Sequence, residues 1–210
     1  LDINYEILYT FVIATSILAF SPGPDNIFVL MQSVVNGKKY GLAVVAGLMS
    51  GCLVHTTLVA FGISVIIKQS EILFFAIKLF GALYLFFLAY KVFVNTAEIQ
   101  FTENDTPKRS LWSLFRQGFV MNVLNPKVSI FFLAFFPGFL FSKAMSSVRQ
   151  FYVLGFLFIL VSFIAFGLIA ILAGSISEYL KKKSKIGVVL KWLQIVVFIG
   201  IGIFILFAKK

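Results

Sequence analysis

Cysteine and histidine each occur once in the 210 residues, as Cys52 and His55. A single cysteine excludes an intrachain disulfide, a paired-thiol redox motif and a thiolate metal cluster. A single histidine leaves Ser50 and His55 as the one nearby pair for an intramembrane serine hydrolase. Five positions of helix set them about 140° apart, so they cannot face each other and no enzyme is expected. Carboxylates are scarce as well, with eight Asp and Glu against eighteen Lys and Arg. A metal carrier would need several intramembrane carboxylate, imidazole or thiolate ligands, so neither a metal site nor a cofactor is expected. Polar sequence is short, and the one stretch long enough to be a real loop is Asn95–Ser110, with Glu98, Glu103, Asp105, Lys108 and Arg109.

What fills the chain is apolar. Hydrophobic residues make up 60% of it, and the mean hydropathy is +1.03, well above the roughly 45 to 50% apolar content of a soluble domain. About 20 residues of helix cross a hydrocarbon core of about 30 Å, so the length has room for six spans and no separate soluble domain. Long apolar runs place the spans near Ile7–Val35, Gly41–Ile67, Ile72–Val94, Leu114–Leu140, Phe151–Ile176 and Gly187–Ala208. The fold expected is an all-α integral membrane protein of about six transmembrane helices. Phe11–Phe20 reads as retained first-span sequence and not as a signal-peptide core, because Asp2 and Glu6 precede it where basic residues would belong.

The net charge of +10 does not point to nucleic acid, since the basic residues sit mostly between apolar runs, where they orient a membrane protein. Lys38, Lys39, Lys91, Lys108, Arg109, Arg116, Lys181, Lys182, Lys183, Lys185 and Lys191 fall on one side, and Lys68, Lys143, Arg149, Lys209 and Lys210 on the other. That majority places both termini outside, with the two C-terminal lysines pulling against it.

Two spans are interrupted. The first contains Ser21-Pro22-Gly23-Pro24-Asp25-Asn26 and the fourth Asn122-Val123-Leu124-Asn125-Pro126-Lys127. Proline removes a backbone donor and clashes with the preceding turn, so each segment is expected to break and restart, capped by Ser21 in one case and Asn125 in the other, with proline leading the new half-helix. Irregular backbone at membrane depth survives only inside protein or beside a cavity, and breaks at corresponding places of two halves point to a transporter site. The halves align weakly but in order: Pro24-Asp25 with Pro126-Lys127, Ala60-Phe61-Gly62 with Ala165-Phe166-Gly167, and Ile77-Lys78-Leu79 with Leu190-Lys191-Trp192. Three spans per half make the repeat inverted, with repeat one over about 1–94, a polar linker over about 95–110 and repeat two over about 111–210, all within one transmembrane domain.

Asp25 and Lys127 are the charges that stand out. Lys127 lies about 13 residues from either end of its span, roughly 20 Å of unbroken helix, beyond the reach of a snorkelling side chain. A charge at that depth costs about 2.5 to 3.5 kcal/mol on insertion scales, so it faces a partner or a wet cavity. One reading is a structural Asp25–Lys127 ion pair joining the halves. The functional reading uses the positive ends of both restarted helices. A zwitterionic amino acid sets its carboxylate against the Pro126-Lys127 turn and its ammonium against Asp25, while Asn26, Asn122 and Asn125 supply neutral donors and acceptors. Gly47 and Gly51 form a small-residue face on the second span that permits close helix approach and would suit a homodimer. His55 reads as a hydrogen-bonded core residue in preference to a proton relay.

Ser21-Pro22-Gly23-Pro24, the run Asn36 to Leu42, the segment Lys78 to Leu85 and Phe119 to Lys127 together resemble the LysE/RhtB family of amino-acid exporters over nearly the whole chain. The resemblance implies a multi-pass protein of the bacterial inner membrane that exports amino acids or similar small metabolites by proton antiport. It makes Pro22, Gly23, Pro24, Asn125, Pro126 and Lys127 the characteristic residues, with Asp25 where an acidic or polar residue is common. A single acidic group argues against a dibasic substrate. The alternatives are a divalent metal-ion or other small-solute exporter of the same superfamily, and a non-transporting membrane assembly protein.

Overall fold

The computed structural model describes residues 3–21, 23–94, 110–176 and 186–207. Pro22, the polar linker 95–109, the basic run Lys181–Lys185 and the C-terminal Lys209 and Lys210 lie outside these residues. Every regular element among the described residues is helical. In chain order they are α1 (Tyr5–Phe20), α2 (Pro24–Asn36), α3 (Lys38–Leu58), α4 (Ser64–Gln69), α5 (Glu71–Val94), α6 (Leu111–Val123), α7 (Pro126–Phe135), α8 (Ser147–Ile171) and α9 (Ile186–Phe207).

Three helices are long and apolar enough to cross a membrane unbroken: α3 with its continuation to Ile66, α5 and α8. Two further spans are bent pairs. α1 and α2 meet at 59°, and α6 meets α7, extended by a 3₁₀ turn over Phe136–Phe139, at 52°. With α9, an apolar helix of 22 residues, the described residues hold about six candidate spans, and the broken ones are the first and the fourth.

The connections are tighter than the apolar runs suggest. α2 and α3 are separated by Gly37 alone, whose φ of 101° falls where only glycine is comfortable. α3 passes into α4 through a π-helical turn, Val59–Ile63, an irregularity the sequence reading did not anticipate. The loop between α7 and α8 is pinned by buried Gln150. Its Oε1 accepts from the Phe141 and Ser142 amides at 2.7 and 2.9 Å, and its Nε2 donates to the Ser142 and Met145 carbonyls at 2.8 and 2.7 Å. Asn4 donates its own amide to the Phe141 carbonyl at 2.8 Å, which ties the start of α1 to the same loop.

Helices pack closely where side chains are absent. α3 lies most extensively on α6, because a Cβ at Gly47 would collide with the Phe115 carbonyl and one at Gly118 with the Val44 carbonyl. A Cβ at Gly51 would sit 2.6 Å from Asn122 Oδ1. The Gly47 and Gly51 face is therefore filled within the chain and is not available to a second copy, which corrects the expectation that it would suit a dimer. α3 also packs on α8, α5 on α9 and α1 on α8. Exchanging the halves turns α3 on α6 into α8 on α1 and leaves the other two pairings in place. Phe131, Phe132, Phe135, Phe136 and Phe139 crowd with Phe11 and Phe158 beside the second break, with ring centroids 4.2 to 6.4 Å apart.

Candidate functional site

The two breaks face each other inside the bundle. Pro24 and Pro126 stand in the first turn of α2 and α7, as expected. The N-cap of α2 is Gly23, with no side-chain hydrogen bond, and not Ser21, which instead ends α1. Ser21 misses the role because the intervening Pro22-Gly23 puts it two residues outside the helix start. Its hydroxyl is buried and has no partner among the described residues. Asn125 does cap α7, its side-chain oxygen accepting from the Lys127 amide at 3.0 Å.

Asn125 has a second task, because its amide donates to Asp25 Oδ2 at 3.2 Å and joins the two breaks across 100 residues of sequence. Asn26 donates to the Ala19 carbonyl at 2.7 Å, supplying a partner for one of the free carbonyls at the end of α1. The Asn122 carbonyl, in the last turn of α6, lies 3.1 Å from His55 Nε2, and the His55 ring packs on Phe132 at 5.4 Å. His55 is thus a buried residue hydrogen-bonded to the second break. Ser50 bonds back to the Ala46 carbonyl at 2.8 Å, so no serine and histidine dyad forms.

The Lys127 ammonium stands over the Phe198 ring, 4.6 Å from its centroid, and would be 3.3 Å from a Cβ at Gly23. Glycine between the two prolines leaves the space that this ammonium uses. Asp25 takes a hydrogen bond from Asn125 and has the opposite charge of Lys127 as a neighbour. The opposite charges share one cavity of about 60 Å³. Asp25, Asn26, Asn122 and Lys127 line it together with Gly23 and Pro24, while Asn125 braces Asp25 and Lys127 from behind. Two helix N-termini, α2 and α7, open near these charges, so the site can meet an anionic group and a cationic group at once. A cavity of this size is far below the roughly 300 Å³ at which small-molecule pockets begin, so a small-molecule ligand enters only when the surrounding helices part.

The sequence reading missed the remaining walls. Leu18, Leu48, Met49, Cys52, Val128, Phe158, Ser162 and Phe166 also face the cavity. The available signal was on α8, where Ser162 is the one polar residue between Tyr152 and Ile171, with Phe158 and Phe166 one turn to either side. Among the described residues no three His, Cys, Asp or Glu side chains gather as metal ligands would.

Residues 16–209 match the family of LysE type translocators. The chain belongs to that family. The translocator is similar to a leucine efflux protein of Salmonella typhimurium, 26% identical over 201 residues that cover 94% of this chain and 92% of the relative. It is also similar to a leucine efflux protein of Klebsiella pneumoniae, 24% identical over 191 residues covering 91% and 90%. No solved structure matches the translocator. Membership makes it a multi-pass membrane transporter and not an enzyme.

Proposed function

We propose that this translocator exports amino acids across the bacterial inner membrane in exchange for protons. The observation that carries the reading is one cavity, at the meeting of two broken helices, lined by a single carboxylate, Asp25, and a single ammonium, Lys127. Relatives named leucine efflux proteins, aligned over nine-tenths of the chain, support an amino acid as the cargo.

A zwitterion has the complementary pair of charges. Its carboxylate sits against Lys127 at the positive end of α7, whose first turn Asn125 caps. Its ammonium sits against Asp25, with the unpaired Oδ1 of Asn122 as a further acceptor. Exchange follows from competition for one group, because Asp25 binds either the substrate ammonium or a proton. The loaded carrier releases its zwitterion outside, Asp25 takes a proton there, and the protonated carrier returns inward. The matching helix pairings of the two halves support alternating access around a site between them.

The test is efflux of radiolabelled amino acids from proteoliposomes, with and without an imposed pH gradient, for the wild type, Asp25→Asn and Lys127→Met, each shown to be folded. The expected result is gradient-dependent efflux by the wild type and stalled efflux in both variants. Efflux at the wild-type rate by either variant overturns the paired-charge site. Movement of a metal ion or another solute, with no amino acid moving, overturns the cargo.

A further inference from the structure

The polar groups assigned above come from α2, α6 and α7, yet the cavity has walls from α1, α3 and α8 as well. Those walls are apolar apart from Cys52 and Ser162. Ser162 is 1% exposed and lines the cavity, and its hydroxyl has no hydrogen-bond partner among the described residues. A serine inside a helix ordinarily returns its hydroxyl to the carbonyl four residues back, as Ser50 and Thr56 do here at 2.8 Å. A buried hydroxyl without a partner has given up a hydrogen bond that nothing in the fold replaces. Asn122, a buried residue on the same cavity, also has an Oδ1 without a partner among the described residues, packed against Gly51 of α3. An unmet hydroxyl on a residue that lines the cavity, on a helix that supplies no other polar group to it, calls for a ligand that meets it.

Phe158 and Phe166 lie four residues before and after Ser162, on the same face of α8, and both line the cavity. With Leu18, Leu48, Met49 and Val128 they form a surface that offers no partner to a charge or an amide. We infer that α8 is the specificity element of the site: Ser162 hydrogen-bonds the polar head of the substrate, and Phe158 and Phe166 hold its side chain, selecting an uncharged aliphatic or thioether one. This assignment rests on the amino-acid reading above. With the head fixed between Asp25 and Lys127, a substrate side chain has only the apolar walls left to meet. A second charge there would lie desolvated and unpaired, which excludes basic and acidic amino acids.

The test uses the full chain in proteoliposomes loaded with leucine, methionine, alanine, phenylalanine, lysine or glutamate. The wild type should move leucine and methionine and leave lysine and glutamate behind. Ser162→Ala should leave the melting temperature unchanged or higher, because the fold makes no use of the hydroxyl, while KM for leucine rises about tenfold, the loss of one hydrogen bond to a charged group. Phe166→Ala should raise the phenylalanine-to-leucine efflux ratio. Phe166→Leu, which keeps an apolar wall, serves the same comparison if the alanine variant does not fold. Unchanged leucine KM in Ser162→Ala, with unchanged substrate ratios in either Phe166 variant, overturns the assignment while wild-type efflux still upholds the amino-acid reading. Wild-type efflux of lysine or glutamate at the rate of leucine also overturns it. Failure of the wild type to move any amino acid overturns both, and the wild-type arm alone reveals that.

Discussion

Asn125 combines two tasks that different substitutions separate. Its oxygen caps α7 and its amide steadies Asp25. Asn125→Ala removes both and is expected to lower stability by about 0.5 to 2 kcal/mol, the usual loss of a helix cap, along with efflux. Asn125→Asp keeps an acceptor for the Lys127 amide but sets a second carboxylate beside Asp25. Its melting temperature should stay near that of the wild type while leucine efflux falls, and parallel measurement of both quantities checks the division. His55 calls for the opposite outcome. The Asn122 carbonyl it approaches also accepts from the Asn125 amide at 3.1 Å, so His55→Gln leaves that oxygen partnered. A cost of no more than about 1.5 kcal/mol and an unchanged pH profile of efflux are expected, since the ring bonds the backbone and not a transported proton.

At the scale of elements, two devices hold the broken helices in register. The first is the close approach of α3 to α6 at Gly47 and Gly118, where a methyl group would meet backbone and force the helices apart. Gly47→Ala or Gly118→Ala should cost about 1 to 3 kcal/mol, as overpacking does. Gly167→Ala on α8, where an added Cβ meets nothing within 4 Å, should be neutral or stabilising by up to about 1 kcal/mol. Thermal melting of the three purified variants distinguishes them. The second device is Gln150, whose side chain satisfies two amides and two carbonyls of the loop before α8. The prolines announced the breaks. Nothing in the local pattern announced that a glutamine would tether the loop, because its partners become neighbours only when α8 turns back on α7.

For the molecule as a whole, the proposed cycle moves charge. A zwitterion leaves with no net charge and a proton returns on Asp25, so one positive charge enters per turnover. A potential that is negative inside should therefore speed efflux, with about 2.3 kcal/mol available per 100 mV for that charge. Potassium diffusion potentials set with valinomycin test the sign, and efflux indifferent to potential would refute the stoichiometry. The same cycle requires the small cavity to open. Cys52, the chain's one cysteine, lies on its wall and is 1% exposed, which makes it a native reporter. Maleimide labelling of Cys52 should be slow in the resting protein and faster during turnover.

Much was written in the sequence itself: membrane residence, six helical spans, the two interruptions and the charges beside them. These depend on local causes, namely run length against bilayer thickness and proline's missing donor, and local causes survive without knowledge of neighbours. Tertiary structure alone decided that Asp25 is held by Asn125, that Lys127 stands over Phe198, that Gly23 replaces Ser21 as the cap and that Gly47 and Gly51 face α6. It also brought Phe158, Ser162 and Phe166 of α8 to the same cavity. Each of these joins residues far apart in sequence or turns on which face a helix presents, and in a chain apolar on nearly every face no periodic pattern marks which side meets lipid and which meets the site.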